Sequence, residues 1–341
     1  MSSRFGVLAL LATALALASA ESAAAQGLTA DAVNNAAFSA TPARGAKGDA
    51  KARKAPTPVL VKAQVLLDRS RFSPGVIDGR NGDNLRKALA AFEQDRGLKA
   101  DGELDQEVWT KLVEASAEPA LTEYTITNGD VDGPFVPKIP TRMEEMAKLD
   151  RLANTGPREL LAEKFHMSED LLEALNPGKR LDEAGTRIVV PNVLGAKQDK
   201  REKSTVARIE VMKAARTLKA LDKDGKLLAF YPASIGSKEK PAPSGEYTVR
   251  TVAENPTYTY NPEFRFKGVK ATEKLTIKPG PNNPVGVAWI DLSLETYGIH
   301  GTPEPKKIGK TYSHGCVRLT NWDAKELAGL VGKGTKVAFV D

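Results

Sequence analysis

The 341-residue sequence is poor in reactive side chains, with one cysteine and three histidines. A single cysteine excludes any disulfide within the chain. A strong excess of either charge is also missing. The 49 Lys and Arg face 43 Asp and Glu, for a formal charge of +6. So mild and dispersed a bias argues against a nucleic-acid partner. It favours approach to an anionic polymer or membrane surface. After the first residues no stretch is apolar enough to span a bilayer. What remains is a soluble, globular composition, 41% hydrophobic and 27% charged. The length is too great for one ordinary core, so two or three domains are expected.

The N-terminus reads as an export signal over residues 1–25. Arg4 supplies a positive charge, residues 5–18 form an uncharged apolar run, and Ala18-Ser19-Ala20 and Ala23-Ala24-Ala25 offer small-residue cleavage sites. No cysteine stands at the end of the apolar run, which argues against a lipid anchor. The mature chain is therefore expected outside the cytoplasm. There a lone thiol is a liability to oxidation, and its presence raises the chance that its chemistry is used. Residues 26–57, rich in Ala, Lys, Gly and Pro, read as a flexible basic linker.

Three segments follow. Residues 58–116 read as a helical module. Val61, Val65 and Leu67 mark a first amphipathic helix, Leu85, Ala88, Leu89 and Phe92 a second, and Val108, Leu112 and Val113 a third. The turns Asp78-Gly79 and Asp101-Gly102 precede the second and third. With Gln64, Phe72, Trp109 and these turns, the segment resembles the three-helix peptidoglycan-binding module. Residues 122–194 resemble a LysM module, α+β in class. Tyr124 to Asp130 fits its first strand, Leu160 to Pro177 its two helices, and Gly185 to Asn192 its closing strand. An insertion between Asp130 and Thr155 departs from that family's compact pattern, and His166 reads as a structural or surface residue. Residues 206–341 switch to strand alternation, with a hairpin signal at Asp224-Gly225 and one convincing helix at 323–331.

Two of the three histidines fall close to the cysteine. The stretches are Tyr297-Gly298-Ile299-His300-Gly301 and Ser313-His314-Gly315-Cys316-Val317-Arg318, with Asn321 just beyond. A free thiol has a pKa near ~8.5, so little is thiolate at neutral pH. An imidazole within reach takes the proton and leaves a thiolate–imidazolium pair. Gly315 lets the backbone turn tightly before Cys316. No Asp, Glu or further His in this segment completes a metal set, so no metal and no cofactor are expected.

Residues 206–341 closely resemble the L,D-transpeptidase (YkuD-like) catalytic domain. The His300 … Ser313-His314-Gly315-Cys316-Val317-Arg318 motif carries the resemblance. Gly236, the Pro241 to Tyr247 stretch and the Pro279 to Gly286 stretch support it. It implies a β-sandwich-like domain with the cysteine in a groove under a flexible lid. Cys316 would be the nucleophile and His300 the base, oriented by the carbonyl of Gly301. His314 would shape the pocket or assist proton transfer; the residues themselves do not decide between the two histidines as base. The amides of Gly315 and Cys316 would form an oxyanion hole. Arg318 would bind a substrate carboxylate, with Ser313, Asn321 and Tyr297 also lining the substrate site. Trp289 is a further candidate wall, and residues 255–274, with Tyr258, Tyr260, Phe264 and Phe266, a candidate lid.

The resemblance further implies a periplasmic, wall-associated enzyme. It would form a thioester with a tetrapeptide stem, release D-alanine, make 3→3 crosslinks and be inactivated by carbapenems. The alternatives are transfer of the stem to an outer-membrane protein amine or to water, or a wall-binding protein without catalysis.

Overall fold

The structure, a computed structural model, describes residues 28–38, 55–193, 206–237, 241–264, 271–311 and 315–341. The expected export signal lies outside the described residues. So do Ser313, His314 and Phe266. Among the described residues no helix is long and apolar enough to cross a membrane.

Part of the expected linker is structured, which corrects its reading as a wholly flexible tether. Helix α1 (Ala30–Asn34) is capped by the Thr29 hydroxyl, which accepts from the Ala32 amide. Val33 is completely buried. The Asn34 side chain donates to the Leu121 carbonyl at 3.0 Å and accepts from its amide at 2.8 Å. The Ala- and Lys-rich composition concealed the few apolar side chains that anchor this stretch.

The helical module consists of α2 (Pro58–Arg69), α3 (Asp83–Asp95) and α4 (Gln106–Glu114). Pro58 opens α2 behind the Thr57 cap, where its missing N–H costs no bond, and Asp105 caps α4 through the Val108 amide. Leu66, Leu67, Leu89, Phe92 and Leu112 form its centre.

The middle module runs β1 (Leu121–Thr125), α5 (Asn128–Val131), α6 (Met143–Met146), α7 (Pro157–Lys164), α8 (Glu169–Leu175) and β2 (Arg187–Pro191). The strands pair antiparallel, Leu121 opposite Pro191, with α7 and α8 packed into the same core. The insertion supplies the short helix α6, while α5 falls in the stretch expected as the end of the first strand, which stops at Thr125.

The C-terminal domain contains β3 (Arg208–Met212), β4 (Thr217–Leu221), β5 (Leu227–Pro232), β6 (Ser234–Ile235), β7 (Gly245–Glu254), β8 (Tyr258–Tyr260), β9 (Leu275–Ile277), β10 (Ala288–Leu292), β11 (Gly298–His300), β12 (Val317–Arg318), α9 (Asn321–Leu330) and β13 (Lys336–Val340). Nine strands form one sheet in the order β5-β4-β3-β13-β7-β10-β11-β12-β6. Its two end strands, β5 and β6, are separated by only Ala233. The sheet must therefore curl until its ends meet. Ile209, Leu218, Val249, Ile290, Ile299 and Val317 face a common core, closed by Leu327 of α9.

The three units share interfaces. Residues 71–73 extend the free edge of β5: the Phe230 amide donates to the Arg71 carbonyl at 2.8 Å, and the Ser73 amide donates to the Phe230 carbonyl at 2.9 Å. Four residues on, Ile77 exchanges bonds with His166 and Ser168 of the middle module. One short loop thus covers a sheet edge that would otherwise present unpaired amides and carbonyls, and ties both other units to the helical module.

Candidate active site

Cys316 stands on the turn that enters β12. That strand pairs in parallel with β11, Val317 opposite Ile299 and Arg318 opposite His300. The register sets the cysteine segment beside the histidine strand.

His300 is buried, at 4% exposure. Its Nδ1–H donates to the Gly301 carbonyl at 2.7 Å. A carbonyl only accepts, so this bond assigns the ring proton to Nδ1 and leaves a lone pair on Nε2. Trp289, its cross-strand neighbour on β10, stacks on the ring at 5.4 Å and 23°. Burial, then the positive charge of Arg318, pushes the His300 pKa down to about 3; the bond to Gly301 acts weakly the other way. The resting imidazole is therefore neutral rather than half of a standing ion pair.

The Cys316 thiol is partly exposed and donates to the Thr296 carbonyl at 3.7 Å. Thr296 has φ +66°, a conformation rare for a β-branched residue. Tyr297 follows it. Its hydroxyl donates to the Pro241 carbonyl at 3.3 Å, and a Cβ on Gly315 would lie 3.2 Å from that same hydroxyl. The Tyr297 ring thus closes directly over the backbone that carries Cys316. Gly315 itself has φ +127°.

Tyr258 of β8 also faces this region. Burial, then the charge of Cys316, pushes its pKa up to about 12, with Arg318 opposing. The β8–β9 hairpin stands apart from the main sheet; β8 lies inside the segment expected as a lid, and β9 just beyond it. Its Tyr260 is buried at 2% exposure, so that ring anchors the hairpin rather than lining a groove. Arg318 is partly exposed, and its Nε has no hydrogen-bond partner among the described residues.

Asn321 is not a substrate contact, which corrects the sequence expectation. It is buried in the first turn of α9. Its Oδ1 accepts from the amides of Thr302 (3.1 Å) and Val287 (3.3 Å). Its Nδ2 donates to Glu163 Oε1 (2.8 Å) and to the Pro281 carbonyl (3.0 Å). The side chain is spent on internal bonds.

Residues 206–338 match the family of the L,D-transpeptidase catalytic domain, and residues 58–112 match a peptidoglycan-binding domain family. YkuD of Bacillus licheniformis, whose name assigns it to the L,D-transpeptidases, is 31% identical over 184 residues, 53% of this chain and 92% of that protein. The chain belongs to the L,D-transpeptidase family. ErfK/SrfK of Escherichia coli, also named as an L,D-transpeptidase, is 32% identical over 194 residues, 55% of this chain and 60% of that protein. A solved L,D-transpeptidase from Mycobacterium smegmatis is 20% identical, with a TM-score of 0.33 over 48% of this chain and 76% of that one. This L,D-transpeptidase is accordingly a peptidoglycan transpeptidase, an acyltransferase, with a mostly-β catalytic domain behind a helical peptidoglycan-binding region.

Two groups near the site escaped the sequence reading. Thr296 lies in a β10–β11 turn without glycine or asparagine at the positive-φ position, so nothing marked it. Glu163 reaches the site from a helix 158 positions before Asn321, and no local pattern links them.

Proposed function

We propose that this L,D-transpeptidase works through Cys316 as nucleophile and His300 as general base, joining two tetrapeptide stems of peptidoglycan by a 3→3 crosslink. The observation that carries the reading is the β11–β12 register, which sets the cysteine turn beside a neutral imidazole whose Nε2 is unprotonated. The thiol gives its proton to His300 Nε2 while Sγ attacks the carbonyl between diaminopimelate and the terminal D-alanine. The C–N bond breaks, the proton passes to the leaving amine, and a thioester remains. A diaminopimelate amine of a second stem then attacks, its proton is taken by His300, and the C–S bond breaks to restore the thiol. The amides of Gly315 and Cys316 serve as the oxyanion hole. The planar guanidinium of Arg318 suits a stem carboxylate, and Tyr297 and Tyr258 flank the acyl site. In this reading His314 assists proton transfer and Ser313 binds the stem.

The helical domain at 58–116 and the LysM-like module at 122–194 hold the enzyme on the wall. Export by residues 1–25 delivers it to the periplasm, and carbapenems acylate the same thiol.

Purified full-length enzyme and a Cys316→Ala variant, each incubated with disaccharide-tetrapeptide, test this by mass spectrometry. The native enzyme is expected to release D-alanine and form 3→3 dimers, and the variant to form none. Dimers made by the variant would overturn the assignment. Release of D-alanine without dimers would point to water or a protein amine as the acceptor.

A further inference from the structure

Helix α7 of the middle module carries Glu159 and Glu163 one turn apart, hence on one face. Both carboxylates reach into the catalytic domain. Glu159 Oε1 accepts from Asn282 Nδ2 at 2.8 Å, and Glu163 Oε1 accepts from Asn321 Nδ2 at 2.8 Å. The backbone around them is tied as well: the Asn282 amide donates to the Leu152 carbonyl and the Leu152 amide to the Pro279 carbonyl, each at 2.9 Å.

Asn321 passes the constraint onward. Its Oδ1 holds the amide of Thr302, the residue after Gly301, and the Gly301 carbonyl receives the His300 ring proton. There is no slack in this chain. A Cβ on Gly301 would lie 2.3 Å from Asn321 Oδ1, and one on Gly286 would lie 2.0 Å from the same atom. Any rotation of the Asn321 amide therefore meets the peptide that orients the base.

We infer that Glu163 is a positioning residue for transpeptidation: from the middle module it fixes Asn321, and through Asn321 the Gly301–Thr302 backbone that holds His300 in its base tautomer. The inference rests on the proposed role of His300. It makes the middle module part of the active-site scaffold in addition to any contact with the wall.

The bracket also responds to pH. Burial pushes the Glu163 carboxyl up to about 7; the charge of Glu159 acts in the same direction, against the Asn321 bond and His166. Glu169, Glu304, Lys306 and Lys307 line the cavity that Glu163 shares with Trp322. Glu163 thus gains its charge near neutrality. A carboxylate accepts more strongly than a carboxylic acid, so the hold on Asn321 tightens as pH rises through that range.

The test uses full-length Glu163→Gln and Glu163→Ala enzymes, with kcat and KM on disaccharide-tetrapeptide followed across neutral pH and Cys316→Ala as control. Glu163→Ala is expected to lower kcat about tenfold with KM little changed, because orientation of the base is lost and substrate contacts are not. Glu163→Gln keeps a neutral acceptor. It should recover most of kcat at about pH 6 and lack the native rise of about threefold across neutrality. Native kcat at every pH in both variants, with Cys316→Ala inactive, would overturn this inference alone. A loss of activity that only follows the loss of folded protein would also overturn it. If Glu163→Ala does not fold, the pH profile of Glu163→Gln decides. Turnover by Cys316→Ala would overturn the nucleophile assignment and this inference with it.

Discussion

Mild acid should separate the two described histidines sharply. His300 is buried and His166 partly exposed, and their surroundings push them in opposite directions. For His300, burial and then Arg318 disfavour the charged ring and take the pKa to about 3. For His166, burial also opposes the charge, but the charge and hydrogen bond of Asp68, with Asp323 and Glu326, outweigh it and raise the pKa. At about pH 5 an ordinary histidine is ~97% protonated, whereas a group with a pKa near 3 is ~1% protonated.

The linkage to stability has opposite signs as well. Unfolding returns His300 to its ordinary value of 6.5. The unfolded chain thus binds the extra proton between about pH 3 and 6.5, and stability is lost as pH falls through that window, by up to about 5 kcal/mol. His166 works in reverse. Its contribution is complete below pH 6.5 and is lost as pH rises through its raised folded value. Histidine labelled with ¹³C at Cε1, titrated by NMR and assigned with His166→Gln and His314→Gln variants, reads each ring directly. In Arg318→Gln the His300 pKa should rise but stay below 6.5, because burial is the larger cause. A His300 ring that titrates at about 6 in the native enzyme would refute the reasoning, since neither burial nor Arg318 would then be acting as the geometry requires.

Two further predictions concern the scaffold. Asp130 is buried and accepts from Tyr124 Oη (2.5 Å), from the Thr127 amide (2.9 Å) and hydroxyl (2.7 Å), and from Lys164 (2.8 Å). Burial disfavours its charge, but the bonds from Lys164, Tyr124 and Thr127 prevail and hold its pKa at about 2. That is worth about 2.5 kcal/mol, present above pH ~3.8 and lost as pH falls toward 2. Asp130→Asn should cost a similar amount at neutral pH, and an unchanged chemical melt would contradict it. Gly286 has φ +64°, and a Cβ there would meet Asn321 Oδ1 at 2.0 Å. Gly286→Ala should therefore destabilise the catalytic domain by ~2–4 kcal/mol, from left-handed strain and a displaced buried amide. Denaturant melts and kcat should fall together, and a variant with native stability would contradict the close packing around Asn321.

How legible the site was depended on the rarity of its chemistry. Cys316 and His300 stood out because the chain has so few thiols and imidazoles, and glycine beside the cysteine announced the turn. The strands of the C-terminal domain were readable from alternation, as at Arg208–Met212 and Thr217–Leu221. Asn321 was misread because its place beside the motif looked functional, while its partners, Thr302, Val287 and Glu163, are brought to it by tertiary folding. Thr296 was invisible because its role comes from a backbone angle. The helix at Ala30–Asn34 was missed because composition was averaged over a longer stretch, when the single buried Val33 and the Asn34 side chain decide the matter.

The junction between the units clarifies why Glu163 can act at a distance. Two rigid bodies on a loose tether could not hold a bond geometry between them. Here they are not loose. The His166 ring stacks on Trp322 of α9 at 5.2 Å and 8° while its Nδ1 meets the Asp68 carboxylate at 3.1 Å, so one side chain touches all three units. Ser73 of the helical module donates to Asp323 at 3.0 Å, and Arg71 pairs with Glu326, which also accepts from Tyr231 at 2.7 Å. Buried polar groups of this kind tolerate little displacement, because each broken pair leaves a desolvated group unsatisfied. They flank α9, the helix whose first residue is Asn321. The same contacts that dock the modules therefore also brace Asn321, whose Oδ1 holds the Thr302 amide beside His300.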